Sequence, residues 1–296
     1  MISLLSMRRA LRTLWLLLLL GSAMSAHAKL FLWQAEQEGR KVWLLGSIHV
    51  GRADFYPLAE PIEAAYRNTD TLVVEADVSD PTAALPYMGL AMLPPDTTLS
   101  KQLSAPVYRK LMARLPDTGL PPQAAERMKP WFLALTLTMK ALDSYGYQSS
   151  DGIDLHFLRR AKQDSYRIVE LESVKFQLEL FNSLSQREAE LFVGETLRQL
   201  DDGSFKQQLD AMLKAWQSGD TRALIRAVEA GMPERREARQ LMNKLLRERN
   251  VAMADKIANL ASRDKPPLVV VGAAHLAGSG SVVELLQARG FRLSQQ

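Results

Sequence analysis

Hydrophobic residues fall in short runs near both ends of this chain and at helical spacing between them. Residues 29–35 (KLFLWQA) and 41–45 (KVWLL) are apolar and aromatic runs separated by a polar segment that holds Gly39. That pattern predicts a β-hairpin. Residues 58–68 predict a helix with Pro61 near its first turn, and 71–74 (TLVV) a short strand ending at Glu75. Pro and Gly punctuate 81–121 between short helical patches such as 106–114. This fits a substrate-covering region and a surface loop system equally well. The run WFLALTLTMKAL at 131–142 is too long for an ordinary strand and predicts a buried helix after Pro130. Residues 151–160 (DGIDLHFLRR) carry acids at the start and bases at the end, as a helix macrodipole favours. Residues 166–171 predict another strand, which ends at Glu172.

From 176 to 260 the pattern is almost wholly helical. Phe176, Leu180 and Leu184 recur at helix spacing, as do Leu241, Leu245 and later Ile257, with breaks at Gly219 and at 231–233. A strong strand at 268–271 follows Pro266 and Pro267 and runs into Gly272. A helix at 281–288, Gly290 as its cap and a terminal strand at 291–293 complete the chain. Strands at both ends around a helical block predict an α/β fold: a central mixed sheet with flanking helices and a large helical insertion over 176–260. Two strands each lead into Gly-x-x-His, at 46–49 and 272–275, and then into a loop, a helix and a strand. The shared design suggests two pseudo-equivalent halves.

The first 28 residues follow a different rule. Arg8, Arg9 and Arg12 precede an apolar run at 13–20, and small residues follow, ending in Ala26, His27 and Ala28. This order predicts a cleavable signal peptide at 1–28 and a periplasmic or secreted mature chain, 29–296, forming one domain. Neither the short apolar run nor any later stretch is long enough for a comfortable membrane span, which predicts no transmembrane segment after signal removal. The charge balance changes with it. The 37 Lys and Arg exceed the 33 Asp and Glu by four, but three of the arginines belong to the signal. An almost neutral domain remains, without the basic footprint of a nucleic-acid binder. The absence of Cys excludes disulfides, Cys-ligated metals and a thiol nucleophile.

Three histidines remain outside the signal: His49, His156 and His275. Two of them lie just past a predicted strand end, as do Glu75 and Glu172. Polar groups beyond strand C-termini meet in the site crevice of an α/β sheet. Two imidazoles and two carboxylates fit a divalent metal ion, with one Glu outside the ligand set as general base. They also fit a metal-free hydrolase in which a His is the base. No Gly-x-Ser-x-Gly elbow or His-Glu-x-x-His motif is present. Arg249, in the late helical run, suits a substrate carboxylate or oxyanion charge, although most helix arginines are simply solvated. Asp151 and Asp154 are three apart, so on one helix they share a face and extend an acidic site; Asp151 also suits a cap. His156 is off that face and reads as structural or surface. Trp131 reads as a core anchor or a residue lining the cleft.

The paired Gly-x-x-His motifs, Glu75 within VVEAD at 73–77, Glu172 after Leu171, Gly152-Ile-Asp154 before a helix and the Arg249-Asn250 pair together resemble the TraB/PrgY/GumN family, in its GumN-like bacterial branch. The resemblance covers the chain from about 29 to 293. That family is similar to the Tiki metalloproteases, and more distantly to erythromycin esterase and ChaN-type haem-binding proteins. The resemblance implies that His49, His275 and Glu75 are metal-binding or catalytic, with Arg249 important, Glu172 a further site carboxylate and Asp154 a weaker metal-site candidate. It implies a hydrolase that acts on peptide or amide bonds with a divalent metal ion and takes a peptide or small-molecule substrate. Two alternatives are a non-catalytic binder of haem or another iron complex, and an accessory protein of polysaccharide export.

Overall fold

The computed structural model describes residues 29–296, so the predicted signal peptide lies outside the described residues. Six strands form one mixed sheet: β1 (Leu32–Gln37), β2 (Arg40–Ser47), β3 (Thr71–Val74), β4 (Arg167–Glu170), β5 (Leu268–Gly272) and β6 (Arg292–Gln295), in the order β4-β3-β5-β2-β1-β6. The strands β4, β3, β5 and β2 run parallel, while β1 is antiparallel to both β2 and β6. The β1–β2 hairpin turns through Glu38 and Gly39, both at positive φ, which matches the twist of the flanking strands.

Every residue of β5 is buried, and it lies between β3 and β2. A parallel strand covered on both faces needs a continuous apolar run, and LVVV supplies it. The longer helices are α1 (Glu60–Arg67), α2 (Ala105–Arg114), α3 (Pro130–Ser144), α4 (Ile153–Gln163) and, between β4 and β5, α5 (Val174–Asn182), α6 (Gln186–Asp202), α7 (Ser204–Gln217), α8 (Thr221–Ala230), α9 (Arg236–Met242) and α10 (Glu248–Leu260); α1, α4, α7, α8 and α10 bury residues in the core around the sheet. The helix α11 (Val282–Ala288) precedes β6. The expected helical insertion is thus a run of six helices.

The region 81–121 is more than surface loop. Leu99, Leu103, Leu111 and Leu115 are buried with Leu133 and Leu137 of α3 and Val193 and Leu197 of α6 in a second core, apart from the one around the sheet. Its short helices bury apolar residues that α3 and α6 enclose from the other side. Trp131 is an anchor, not a cleft residue: it is 2% exposed and packs against Phe132 and Phe181.

The parallel strands bring their C-terminal ends to one edge. Register pairs Ser47 with Gly272, Val74 with Val270, and Val74 with Glu170. Along that edge the residues that follow the strands come in the order Glu172, Glu75, His275, His49. The insertion is tied to this edge, because the Trp216 indole N–H of α7 donates to the Gly46 carbonyl at 2.7 Å.

Candidate functional site

Beyond β3 and β4 the chain keeps its pairing for two more residues. The Leu171 amide donates to Val74 O at 2.8 Å and the Glu172 amide to Glu75 O at 2.7 Å. Glu75 and Glu172 therefore lie side by side, both nearly buried. Two like charges so placed need a shared cation, and Arg249 of α10 is that cation. Its Nε and Nη2 donate to Glu172 Oε1 and Oε2 at 2.8 and 2.7 Å, and Nη2 also donates to Glu75 Oε2 at 2.5 Å. Its remaining nitrogen, Nη1, donates to Leu245 O at 2.9 Å. The carbonyl belongs to a π-helical turn, Asn243–Arg247, just ahead of α10. Such turns often mark functional positions in a helix.

These contacts change three readings of the sequence. Arg249 is 11% exposed in its side chain and committed on every nitrogen, so it is not free to take a substrate carboxylate. Glu172 is held by both oxygens and is 7% exposed, so it is not placed as a general base. Asp151 lies in a 3-10 turn, Ser149–Asp151, ahead of α4 and does not share the helix face of Asp154.

The other oxygen of Glu75 faces the histidines. Oε1 accepts the Gly272 N–H at 2.7 Å and lies 3.8 Å from His275 Nε2. A methyl group placed on Gly272 would stand 3.2 Å from Glu75 Oε1, 3.3 Å from His49 Nε2 and 3.6 Å from His275 Cδ2. Three of the four side chains that follow strands thus converge on the bare face of one glycine.

His275 is 3% exposed, and its orientation is settled by Asn250. The Asn250 amide nitrogen donates to Gly280 O at 2.8 Å, so Oδ1 is the atom 2.5 Å from His275 Nδ1. Oδ1 can only accept, hence Nδ1 carries the hydrogen and Nε2 presents a lone pair to the cluster. Burial lowers the His275 pKa to about 4, so the ring is neutral at pH 7. In Asn250→Val we expect a mixture of ring tautomers where the parent shows one, read from imidazole nitrogen-15 resonances. Stability should fall by about 1–3 kcal/mol, because a buried N–H loses its acceptor. An unchanged tautomer would refute the assignment.

His49 is the open member of the group, with a side chain 63% exposed. Its Nδ1 lies 3.3 Å from Asp154 Oδ2, and that carboxylate raises the imidazole to about 9, with water screening part of the pull. Asp154 arrives there because the chain after β2 packs tightly on the start of α4. Ile153 N donates to Ile48 O at 3.0 Å, and a Cβ on Gly152 would come within 2.5 Å of His49 O. Gly152-Ile-Asp154 is therefore a close-approach motif.

Burial pushes the Glu75 carboxyl up, but neighbouring charges and the Gly272 N–H outweigh it and hold it at about 2. His275, which is protonated in the acid range where Glu75 titrates, supplies the largest part of that restraint, followed by His49, Arg249 and the Gly272 N–H. His156 takes no part: it stacks on Tyr56 at 4.0 Å, as a structural histidine does.

A cleft of about 350 Å³ opens above the cluster, lined by Ser47, His49, Glu75, Asp154 and Gln177 among others. Asp154 Oδ1 is buried against it with no hydrogen-bond partner. Gln177 of α5 went unremarked in the sequence, yet its amide reaches Glu75 Oε2 at 3.2 Å and Glu172 Oε2 at 3.3 Å. A polar residue among the apolar positions of a helix was the available signal. Among the described residues, no three His, Asp or Glu side chains form a ready-made metal-ligand group, and no helix is long and apolar enough to cross a membrane.

The model of the TraB/PrgY/gumN family matches residues 31–295. The YbaP protein of Escherichia coli (strain K12) is 29% identical over 251 residues, covering 84% of this chain and 88% of the relative. Metalloprotease TIKI1 of Xenopus tropicalis is 22% identical over 310 residues, covering 88% of this chain but 60% of the relative. Metalloprotease TIKI2 of the same organism is likewise 22% identical, over 311 residues, covering 89% of this chain and 59% of the relative. No solved structure matches the chain.

Proposed function

The chain belongs to the TraB/PrgY/gumN family, and from that premise we propose that it is an exported, metal-dependent hydrolase acting on peptide or amide bonds. The observation that carries this reading is the convergence of His49 Nε2, Glu75 Oε1 and the His275 ring on Gly272. Similarity to relatives named metalloproteases supports the reaction class. The basic, apolar and small-residue order of residues 1–28 supports export.

The donor chemistry fits a divalent ion. His275 is neutral, with its Nε2 lone pair toward Glu75 and its Nδ1–H anchored on an amide oxygen. His49, a cation at pH 7 beside Asp154, sets its Nδ1 against that carboxylate and points Nε2 toward the cluster, so a metal ion would bind there only with release of the Nε2 proton. Metal-binding histidines are held in this way, by an oxygen on the nitrogen away from the ion. Glu75 is ionised, and Gly272 leaves its bare face free of side-chain atoms. In this reading His49, His275 and Glu75 hold the ion, and Asp154 serves as the carboxylate that orients His49. A divalent ion there supplies Lewis acidity toward a carbonyl and toward water.

The remaining groups have separable tasks. Asp154 Oδ1 is the partnerless carboxylate oxygen beside the cleft, so it is the open acceptor that would orient a water entering the site. Arg249 and Gln177 hold Glu75 Oε2, which leaves Oε1 facing the histidines.

Metal analysis of the purified protein beside His49→Ala and His275→Ala tests the site. Stoichiometric metal in the parent and its loss in both variants is the expected outcome. Metal retained in both variants would place it elsewhere. A metal-loaded parent that cuts no bond in a broad peptide mixture, followed by mass spectrometry, would remove the hydrolase reading.

A further inference from the structure

The cleft above Glu75 has two kinds of wall. Its floor carries the polar groups already described, while Val78, Met139 and Leu155 form much of the rest. Val78 is 41% and Met139 40% exposed, and both belong to the small set of large hydrophobic residues left exposed among the described residues. Their elements differ: Val78 follows β3, and Met139 sits on α3. Two exposed apolar side chains from separate elements thus line one cleft beside the His–Glu cluster.

The charges around the cleft are as informative. The formally charged lining residues are His49, Glu75 and Asp154, and all three belong to the cluster. Arg249 is spent on Glu75, Glu172 and Leu245 O. Nearby lysines are also engaged, Lys162 with Asp77 at 3.0 Å and Lys140 with Asp143 at 3.5 Å. A terminal carboxylate or a phosphate at the apolar wall would find no free Lys or Arg among the lining residues, and the one side-chain cation of the cleft, His49, is already paired with Asp154. Desolvating an unpaired anion there is unfavourable, whereas covering the apolar wall is favourable.

Resting on the hydrolase reading above, we propose that Val78, Met139 and Leu155 form a subsite for an uncharged apolar side chain of the substrate. The cluster then receives an internal amide flanked by a residue such as Leu or Met, in place of a chain end or a phosphoester. Met139 is the specificity-determining residue, since it is the long, flexible side chain on the outer wall, and thioethers adapt to varied apolar shapes.

The test separates binding from cleavage. With the protein labelled at its methionine methyl groups, N-acetyl-leucinamide and N-acetyl-aspartamide are titrated and followed by NMR; the Met139 signal is assigned by its loss in Met139→Leu. The leucine amide should move that signal and bind at least about tenfold more tightly than the aspartate amide, the scale expected for burying one aliphatic side chain. Equal responses, or none, overturn the subsite. In a second arm, peptides that differ only in the flanking residue are offered to the metal-loaded parent and to Met139→Lys. The expected result is a reversed preference: kcat/KM falls for the leucine-flanked peptide and rises for the glutamate-flanked one. Binding at Met139 without any cleavage removes the hydrolase reading and leaves the subsite standing. Cleavage that prefers charged flanks does the opposite.

Discussion

Arg249→Met lowers the stability of the fold by about 3–5 kcal/mol at neutral pH, the usual cost of stranding buried charge by removing one partner. The magnitude follows from geometry. One guanidinium serves two carboxylates whose side chains are 9% and 7% exposed, and its own side chain is 11% exposed. The pH dependence gives the signature. In the parent, Glu75 stands at about 2 against an ordinary 4.5, so its contribution is complete above pH 4.5 and is lost as pH falls toward 2. Without Arg249, Glu75 keeps the pull of His275 and His49 but loses one restraining charge, so its carboxyl rises and protonation relieves the variant earlier on acidification. The stability gap between parent and variant therefore narrows as pH falls through that raised pKa toward 2. Urea unfolding at several pH values measures it. A gap below about 1 kcal/mol, or one that does not change with pH, would mean the pair is not load-sharing. Arg249→Lys should fall between the two, since one ammonium cannot reproduce a bidentate grip on Glu172 and still reach Glu75 and Leu245 O.

Much of this edge can be read in the sequence, and the reason is physical. Strands buried on both faces must be apolar throughout, so TLVV and LVVV announce themselves, and the polar residue after each marks the edge. Glu75 and His275 are found in this way, while His49 and Glu172 follow the less regular runs of β2 and of the edge strand β4. How they pair cannot be read, because side-chain pairing between distant segments leaves no periodic trace. Arg249 lies 174 positions from Glu75 and 77 from Glu172, so its engagement with both depends on where the insertion returns to the sheet. Asn250 and Gln177 are lone polar residues on helices, and only their partners explain them. The region 81–121 is opaque for another reason. Pro and Gly break its apolar residues into patches too short for a period, while α3 and α6 supply the rest of the core around them.

Gly272→Ala abolishes metal retention and lowers turnover by at least about 100-fold, while changing stability by less than about 1 kcal/mol. The backbone at Gly272 has φ −50° and ψ 133°, which alanine adopts without strain. The added methyl meets Glu75 Oε1 at 3.2 Å and His49 Nε2 at 3.3 Å, and the open His49 ring can swing away from it. The fold survives, but the meeting point of the three side chains is filled. Gly46 holds the same place in the other Gly-x-x-His motif, and its substitution gives the opposite result. A Cβ there would stand 2.5 Å from Phe31 Cδ1 and 3.1 Å from the Ala273 backbone. Phe31 is 1% exposed in the main core and has little room to yield, so Gly46→Ala costs about 1–3 kcal/mol. Thermal unfolding, metal content and turnover on the two purified variants make the comparison. If Gly272→Ala keeps its metal, or unfolds as readily as Gly46→Ala, the bare face of Gly272 is not where the site assembles. Two glycines in identical motifs thus divide the work. Gly46 lets the sheet close against its core, and Gly272 leaves room for what the histidines and Glu75 are arranged to hold.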